Sequence, residues 1–189
     1  LVERIARLDG YVVVAGAGDE ARFTREVISP FGFQPAAVVA GWETRAESAV
    51  RGLHALPSNA EWVLIHDVAR PLASTALWDR VIEGMLRSEA CIPVVPVADT
   101  IKSLCEDGRV AMTIPRQRLV AAQTPQGFRK SLIEKAYAHA GMAVTDDASA
   151  VETAGGVVTT VPGELGNRKL TWPEDVVAIT AGLERLRCP

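Results

Sequence analysis

Cysteine is scarce in this chain. Cys91, Cys105 and Cys188 are the only three in 189 residues, and no two form a C-x-x-C pair. So sparse and odd a set supplies neither a disulfide framework nor a zinc site, and it suits a reducing cytoplasm. Long apolar runs are also missing: none approaches the roughly 18 residues that a membrane helix needs. Positive charge is not in excess, since 20 Lys and Arg stand against 23 Asp and Glu for a net charge of −3. That excludes a broadly basic coat for nucleic acid, yet it leaves room for a local basic pocket that takes phosphates. The sequence contains no H-E-x-x-H, no G-x-G-x-x-G and no Ser/His/Asp nucleophile set. Gly16-Ala-Gly18 is too short for a dinucleotide fingerprint and reads as a turn. No signal-peptide pattern is present. The first residue is Leu1 rather than Met, and apolar residues at 1, 2, 5 and 8 follow a helical spacing without an N-cap or a preceding strand. The expectation is that sequence upstream is not represented.

What is present has the balance of a globular protein: 48% hydrophobic and 23% charged residues, in a length that suits one domain. Short apolar runs at 11–15 (YVVVA), 36–40 (AAVVA), 62–65 (WVLI), 91–95 (CIPVV) and 157–161 (VVTTV) read as strands buried on both faces. Helical patterns fall at about 19–28, 43–56, 75–88, 130–140, 146–154 and 173–186. The alternation predicts an α/β fold with a mostly parallel sheet and helices on both faces. Thr171-Trp-Pro-Glu174 reads as a capping box with proline in the first turn. Thr145-Asp-Asp147 reads as a hydroxyl cap with two carboxylates at another helix start, and Gly155-Gly156 as that helix's end. One segment breaks the alternation: 99–105 and 109–114 flank Glu106-Asp-Gly108 and predict a β-hairpin. Such a hairpin is marginal alone, so it is expected to protrude and pack on something, a second copy being the natural candidate.

Several residues carry charge where ligands bind in α/β sheets, beyond the carboxyl ends of strands. His66-Asp-Val-Ala-Arg-Pro71 follows WVLI directly. Asp67 suits a hard cation such as Mg²⁺ and Arg70 suits a phosphate, although a turn aspartate with a surface arginine gives the same pattern. His66 reads as structural. Arg45 and Ser48 share one face of the helix entered from Gly41, and amides at that start could hold an anion; a solvated amphipathic helix is the alternative. Thr100 and Arg116 mark the two ends of the hairpin and either converge on an anion or keep an edge soluble. Lys169 stands before the last helix, where positive charge does not serve the dipole, which favours an anion-binding role. Together these types suit phosphate chemistry driven by positioning and charge neutralisation.

Six strings occur in order: Arg45-Ala-x-Ser48, His66-Asp-Val-Ala-Arg-Pro71, Asp99-Thr-Ile-Lys102, Gln123-Thr-Pro-Gln-Gly-Phe128, Thr145-Asp-Asp-Ala-Ser149 and Lys169-Leu-Thr-x-Pro-Glu-Asp175. The ordered set resembles the 2-C-methyl-D-erythritol 4-phosphate cytidylyltransferases of non-mevalonate isoprenoid synthesis. The resemblance implies a Rossmann-like nucleotidyltransferase domain spanning 1–189, cytoplasmic, with an arm at 99–118 that clasps a partner in a homodimer. It implies that substrate phosphate attacks the α-phosphorus of CTP with Mg²⁺ present. By motif position, Gly41, Arg45, Ser48, Asp67 and Ala69 would contact the nucleotide, with Asp67 also at the metal. Arg70, Thr100, Arg116, Thr145 and Lys169 would surround the sugar phosphate, Arg116 and Lys169 serving catalysis. Thr100 and Arg116 would act in the neighbouring subunit's pocket. The family's opening strand and Gly-rich loop, roughly P-A-A-G-x-G-x-R with a later P-K, have no counterpart in this sequence. A chain that truly lacked them is expected to turn over weakly or not at all. Trp42 stands where a glycine is common, and Gly166 near where an acidic residue is often found. A ribitol 5-phosphate cytidylyltransferase and a non-catalytic nucleotide-binding or dimerisation module are the competing readings.

Overall fold

A computed structural model describes residues 5, 7–141 and 144–187, with side chains to 185. The first strand, β1 (Val12–Ala15), leads through a turn with Gly18 at φ +87° into α1 (Glu20–Phe23). A π-helical stretch over Thr24–Ile28 continues α1 into α2 (Ser29–Phe31), which stops at Gly32. Then follow β2 (Ala37–Ala40), α3 (Arg45–Ala55), β3 (Trp62–Ile65), α4 (Thr75–Ser88) and β4 (Ala90–Pro96). The hairpin strands are β5 (Ile101–Leu104) and β6 (Val110–Ile114), and a 3-10 turn over Arg116–Arg118 precedes β7 (Val120–Ala122). The chain closes with β8 (Gln126–Arg129), α5 (Lys130–Ala140), α6 (Asp147–Thr153), β9 (Thr159–Pro162) and α7 (Asp175–Arg187). The expected helix over the first eight residues lies mostly outside the described ones. Of that stretch, Leu8 donates its N–H to Ile5 in a turn.

All five expected strands and the six helical stretches are present, in mixed α/β order. Strands β3, β4 and β9 share one direction, and β1 is parallel to β2. Two strands that were not anticipated, β7 and β8, run against them. β8 lies between β3 and β4, and both β7 and β8 pair with the edge of β4 opposite β9. Residues 123–125 separate these two strands, with a cis peptide at Thr124–Pro125.

One face of the sheet buries Val63, Ala90, Ile92 and Phe128 against α3, α5 and α6. The other buries Cys91 against Leu77, Trp78, Ile82 and Met85 of α4. This is the two-sided burial that the apolar strand runs require. Among the described residues, β1 has a ladder partner only in β2, and β3 only in β8. Between these two edges lies an apolar cleft of about 1080 Å³, lined by Val12–Val14 and Trp62–Ile65 with Gly52, Leu53 and Met85 beneath.

The hairpin forms where the Asp-Gly pair predicts it. Gly108 takes φ +82°, Cys105 donates to Arg109 O at 2.8 Å, and Ile101 faces Ile114. Its two strands make a sheet of their own, hydrogen-bonded to neither of the others, with Leu104, Val110 and Met112 exposed.

Two helix starts differ from expectation. α7 begins at Asp175, not at the Thr171 box. Thr171 and Trp172 instead donate their N–H groups to the Asp175 carboxylate, at 3.0 and 2.9 Å. Pro173 therefore sits ahead of the helix. The cap of α6 is Asp146 rather than Thr145, because its Oδ1 accepts the Ser149 N–H at 2.9 Å while the Ser149 hydroxyl accepts the Asp146 N–H. A carboxylate is the stronger acceptor for an N-terminal amide. The expected end of α6 holds: Gly155 takes φ +79° and Gly156 donates to Val151 O at 2.8 Å.

Candidate functional site

The loop after β2 is built to deliver Arg45. Gly41 is buried, and a Cβ there would come within 2.8 Å of Ser48 Oγ and 3.0 Å of Ala15 O. Only glycine lets the chain pass this close. Ser48 Oγ accepts the Trp42 N–H at 2.9 Å, and Thr44 caps α3 in a reciprocal box with Glu47. The amides of Gly41, Trp42, Thr44 and Glu47 all have partners within the fold. These four amides are therefore already engaged in this structure, and Ser48 holds the loop.

Arg45 opens α3 and uses its whole guanidinium. Nε donates to Asp67 Oδ1 at 3.0 Å, while Nη1 and Nη2 donate to Asp147 Oδ1 and Oδ2 at 2.9 and 2.7 Å. Asp147 lies in the first turn of α6, is fully buried and also accepts the Tyr137 hydroxyl. Asp67 Oδ2 accepts from Lys169 Nζ at 2.8 Å. The result is an alternating string of charges, Asp147–Arg45–Asp67–Lys169, that runs from the core to the surface. Burial on its own would raise the Asp67 carboxyl, but the Lys169 hydrogen bond and the Arg45 charge outweigh it and hold Asp67 below the usual aspartate range. Burial and the adjacent Asp147 carboxylate push the Tyr137 phenol well above its ordinary value. Tyr137 is therefore a protonated donor.

The turn after β3 is fixed by a second network. The Asp67 N–H donates to Thr124 Oγ1 at 3.1 Å, Thr124 meets His66 Nδ1 at 3.0 Å, and His66 Nε2 meets Arg70 O at 3.2 Å. A carbonyl only accepts, so Nε2 carries the proton and Nδ1 accepts from the Thr124 hydroxyl. Burial lowers the His66 pKa to about 4, and the ring packs on Trp78 with centroids 5.0 Å apart. His66 is structural, as the sequence suggested.

The remaining expected residues divide. Arg70 gives its Nη1 to Asn167 O at 2.9 Å and its Nη2 to Ala122 O at 3.3 Å, so it ties the end of β7 to the loop at Asn167. Ala69 O accepts the Leu170 N–H at 2.7 Å, which brings the segment carrying Lys169 alongside the Asp67 turn. Lys169 lies six residues before α7, so its position owes nothing to that helix's dipole. Thr145 is exposed, its hydroxyl 3.4 Å from Ser149 Oγ. Thr100 is exposed just ahead of β5, and Arg116 folds back onto Ala98 O at the base of the hairpin. Among the described residues, no hydrogen bond or ion pair joins Arg116 to Asp67 or Lys169.

Sequence reasoning missed the polar groups buried beneath the site: Asp147, Gln123, Thr124, Gln126 and Asn167. Gln126 links Asp146 Oδ2, at 2.8 Å, to the Ala148 N–H, at 3.0 Å; Asn167 donates to Thr124 O at 3.0 Å. In the sequence, Asp147 reads only as a favourable charge at a helix start. Its partner Arg45 is 102 residues away.

For a divalent cation the cluster offers one carboxylate. Among the described residues no three His, Cys, Asp or Glu gather into a cage. That fits Mg²⁺, which is commonly held by one or two carboxylates together with substrate phosphates.

A family model described as IspD: 2-C-methyl-D-erythritol 4-phosphate cytidylyltransferase matches residues 4–185. The chain is 46% identical over 183 residues to a bifunctional enzyme IspD/IspF of Anaeromyxobacter dehalogenans, covering 94% of this chain and 46% of that protein. It is 48% identical over 149 residues to a 2-C-methyl-D-erythritol 4-phosphate cytidylyltransferase of Frankia casuarinae, covering 78% and 56% respectively. Among solved structures, a 4-diphosphocytidyl-2C-methyl-D-erythritol synthase of Anaerococcus prevotii superposes with a TM-score of 0.84 at 32% identity, over 97% of this chain and 82% of that one. The chain spans about half the length of the curated relatives it matches.

Proposed function

Because the chain belongs to the 2-C-methyl-D-erythritol 4-phosphate cytidylyltransferase family, we propose that it transfers the cytidylyl group of CTP to 2-C-methyl-D-erythritol 4-phosphate in isoprenoid precursor synthesis. A phosphate oxygen of the acceptor attacks the α-phosphorus of CTP. The bond from that phosphorus to the bridging oxygen of the β-phosphate breaks, and pyrophosphate leaves with the electron pair. The products are 4-diphosphocytidyl-2-C-methyl-D-erythritol and pyrophosphate. The observation that carries this reading is the contact string of Arg45, Asp67 and Lys169, drawn from three distant segments to one point beyond the end of β3.

Two polyanions must approach one another in this reaction, so charge has to be cancelled before attack. Lys169 is the group that serves this end: its ammonium is half-exposed and, among the described residues, held only by Asp67. Exchange of Asp67 for an incoming phosphate frees Lys169 to orient that phosphate and neutralise it. Asp67, relieved of Lys169, turns Oδ2 toward the nucleotide side, where it would hold Mg²⁺ jointly with the triphosphate. When bound, the ion supplies Lewis-acid polarisation and charge neutralisation. Gly41, Ser48 and Ala69 shape the nucleotide side through backbone placement. Arg70 and Thr145 border the sugar-phosphate side.

Thr100 and Arg116 enter this reading through a second copy of the chain. The hairpin they flank is a sheet of its own, and its apolar residues Leu104, Val110 and Met112 are exposed. In a homodimer joined through residues 99–118, Arg116 reaches the partner's substrate phosphate and acts with Lys169 in catalysis. We place the enzyme in the cytoplasm, in one nucleotidyltransferase domain. The free, exposed Cys105 suits a reducing compartment, and no helix among the described residues is long and apolar enough to cross a membrane.

The test is pyrophosphate release from CTP with Mg²⁺, comparing methylerythritol phosphate with ribitol 5-phosphate as acceptor, on the chain as given and on the gene's full product. Release by the full product with methylerythritol phosphate is the expected result. Preference for ribitol 5-phosphate moves the substrate assignment, and no release by a folded full product refutes the reading.

A further inference from the structure

We propose that Asp147 and Tyr137 are positioning residues for the nucleotide side of this site. They fix the Arg45 guanidinium, which in turn locks one oxygen of Asp67 and leaves the other oxygen for exchange. The inference deepens the function proposed above and rests on it for the identity of the ligand.

The argument starts from the inequality of Asp67's two oxygens. Oδ1 accepts from Arg45 Nε, and Oδ2 accepts from Lys169 Nζ. The two donors are held very differently. Lys169 is a flexible chain with a side chain 44% exposed, and among the described residues its ammonium has no other partner. Arg45 is gripped in a bidentate fork by a carboxylate with no exposure at all. A planar fork across two parallel N–H···O bonds fixes orientation as well as distance. Asp147 is itself held from three sides: by the fork, by the Tyr137 hydroxyl, and by its place in the first turn of α6. Tyr137 is buried in the main core cluster, so it cannot swing away. The stiffness of the core therefore passes through Tyr137, Asp147 and Arg45 to Oδ1, and stops there. Oδ2 faces the one donor that can leave without opening the core.

Groups placed behind a ligating side chain in this way commonly change affinity or activity by about 10–100-fold when altered. The isosteric Asp147→Asn keeps the volume but turns one acceptor of the fork into a donor pointed at Arg45. Tyr137→Phe keeps the ring and removes one hydrogen bond. It is the gentler variant should Asp147→Asn fold poorly.

Two measurements on the gene's full product test the proposal. The first is NMR of the Arg45 guanidinium N–H groups without ligand. In the parent they should be resolved and protected from solvent exchange; in Asp147→Asn, and more weakly in Tyr137→Phe, that protection should fall. The second is calorimetry with CTP and Mg²⁺ at equal folded fraction. Affinity should drop about tenfold or more in Asp147→Asn, and Arg45→Lys, which cannot form the fork, should drop alongside it. Affinity for inorganic phosphate, which goes to the Lys169 side of the site, should stay within about twofold, a split that a purely structural role would not produce. Arg45 signals as protected in the variants as in the parent overturn the proposal, and so does unchanged CTP affinity. If the parent itself fails to bind CTP, the functional reading fails, and loss of Arg45 protection in the variants still decides the positioning claim.

Discussion

Lys169 reaches Asp67 across 102 residues of sequence, and the contact is partly open to water. Such a pair contributes no more than about 1 kcal/mol to stability. Lys169→Ala is therefore expected to leave urea unfolding nearly unchanged, while turnover of the full product falls by about 10²–10³-fold, the loss seen when one donor to developing charge is removed. Pyrophosphate release measures the rate, and an undiminished rate would take Lys169 out of the site. His66 behaves in the opposite way: it contributes to stability and not to chemistry. Its folded pKa of about 4 lies below the ordinary 6.5, so between those values the unfolded chain binds more protons than the folded one. Stability from this group is complete above pH 6.5, declines as pH falls from 6.5 to 4, and changes no further below that. The loss amounts to at most ~3 kcal/mol. Urea denaturation of metal-free protein at stepped pH should show this slope, and His66→Gln should flatten it. A wild-type stability that is flat across the window would mean the ring is not held neutral.

Among the elements, the hairpin and β8 make an instructive contrast. The hairpin was legible because two alternating runs flank Asp-Gly, and a positive φ at that glycine is what the turn needs. β8 was not legible. Its sequence, Gln126-Gly-Phe-Arg129, begins with a buried amide that reads as a loop residue. Burial is tolerated because Gln126 bonds to Asp146 and Ala148, residues that only the folded chain brings near. Phe128, three residues past the cis peptide, is the largest fully buried side chain and joins the sheet to α5 and α6. Phe128→Ala should cost about 3–5 kcal/mol, measured as the shift in urea unfolding. A loss below 1 kcal/mol would show that β8 does not anchor the core. The Thr171 box failed for a comparable reason: the pattern T-x-x-E was present, but the Asp175 carboxylate takes the Thr171 amide that Glu174 would hold in such a box, and the Trp172 amide with it.

Considered as a whole, the molecule has two unfinished surfaces. One is the apolar cleft between β1 and β3, where, among the described residues, two strand edges face each other without a ladder between them. The other is the hairpin, with apolar side chains exposed on a sheet too small to be stable alone. If hairpins exchange Arg116 between two copies, each pocket is a composite. Mixing inactive Arg116→Ala with inactive Asp67→Ala should then restore part of the activity, because one pocket of the heterodimer has both residues intact. No rescue in heterodimers verified by native mass spectrometry would mean that each copy works alone.

Period and punctuation in the sequence determined the α/β order, the five principal strands, the helix stretches and the hairpin. Hydrophobic spacing and turn chemistry act within a few residues, and a linear reading captures them. The charge types of the site, Arg45, Asp67 and Lys169, were also legible, the first two as charges placed beyond strand ends and Lys169 as a charge that does not serve the following helix's dipole. Tertiary structure alone decided that these three touch, that Asp147 and Tyr137 stand behind them, and that Arg70 and the Gly41 amide donate to carbonyls of distant segments. Those facts depend on which distant segments the core brings within 3 Å of one another. A buried carboxylate is admissible only once its partners are in place, and in the sequence Asp147 stands a hundred residues from Arg45 with nothing to mark the two as a pair.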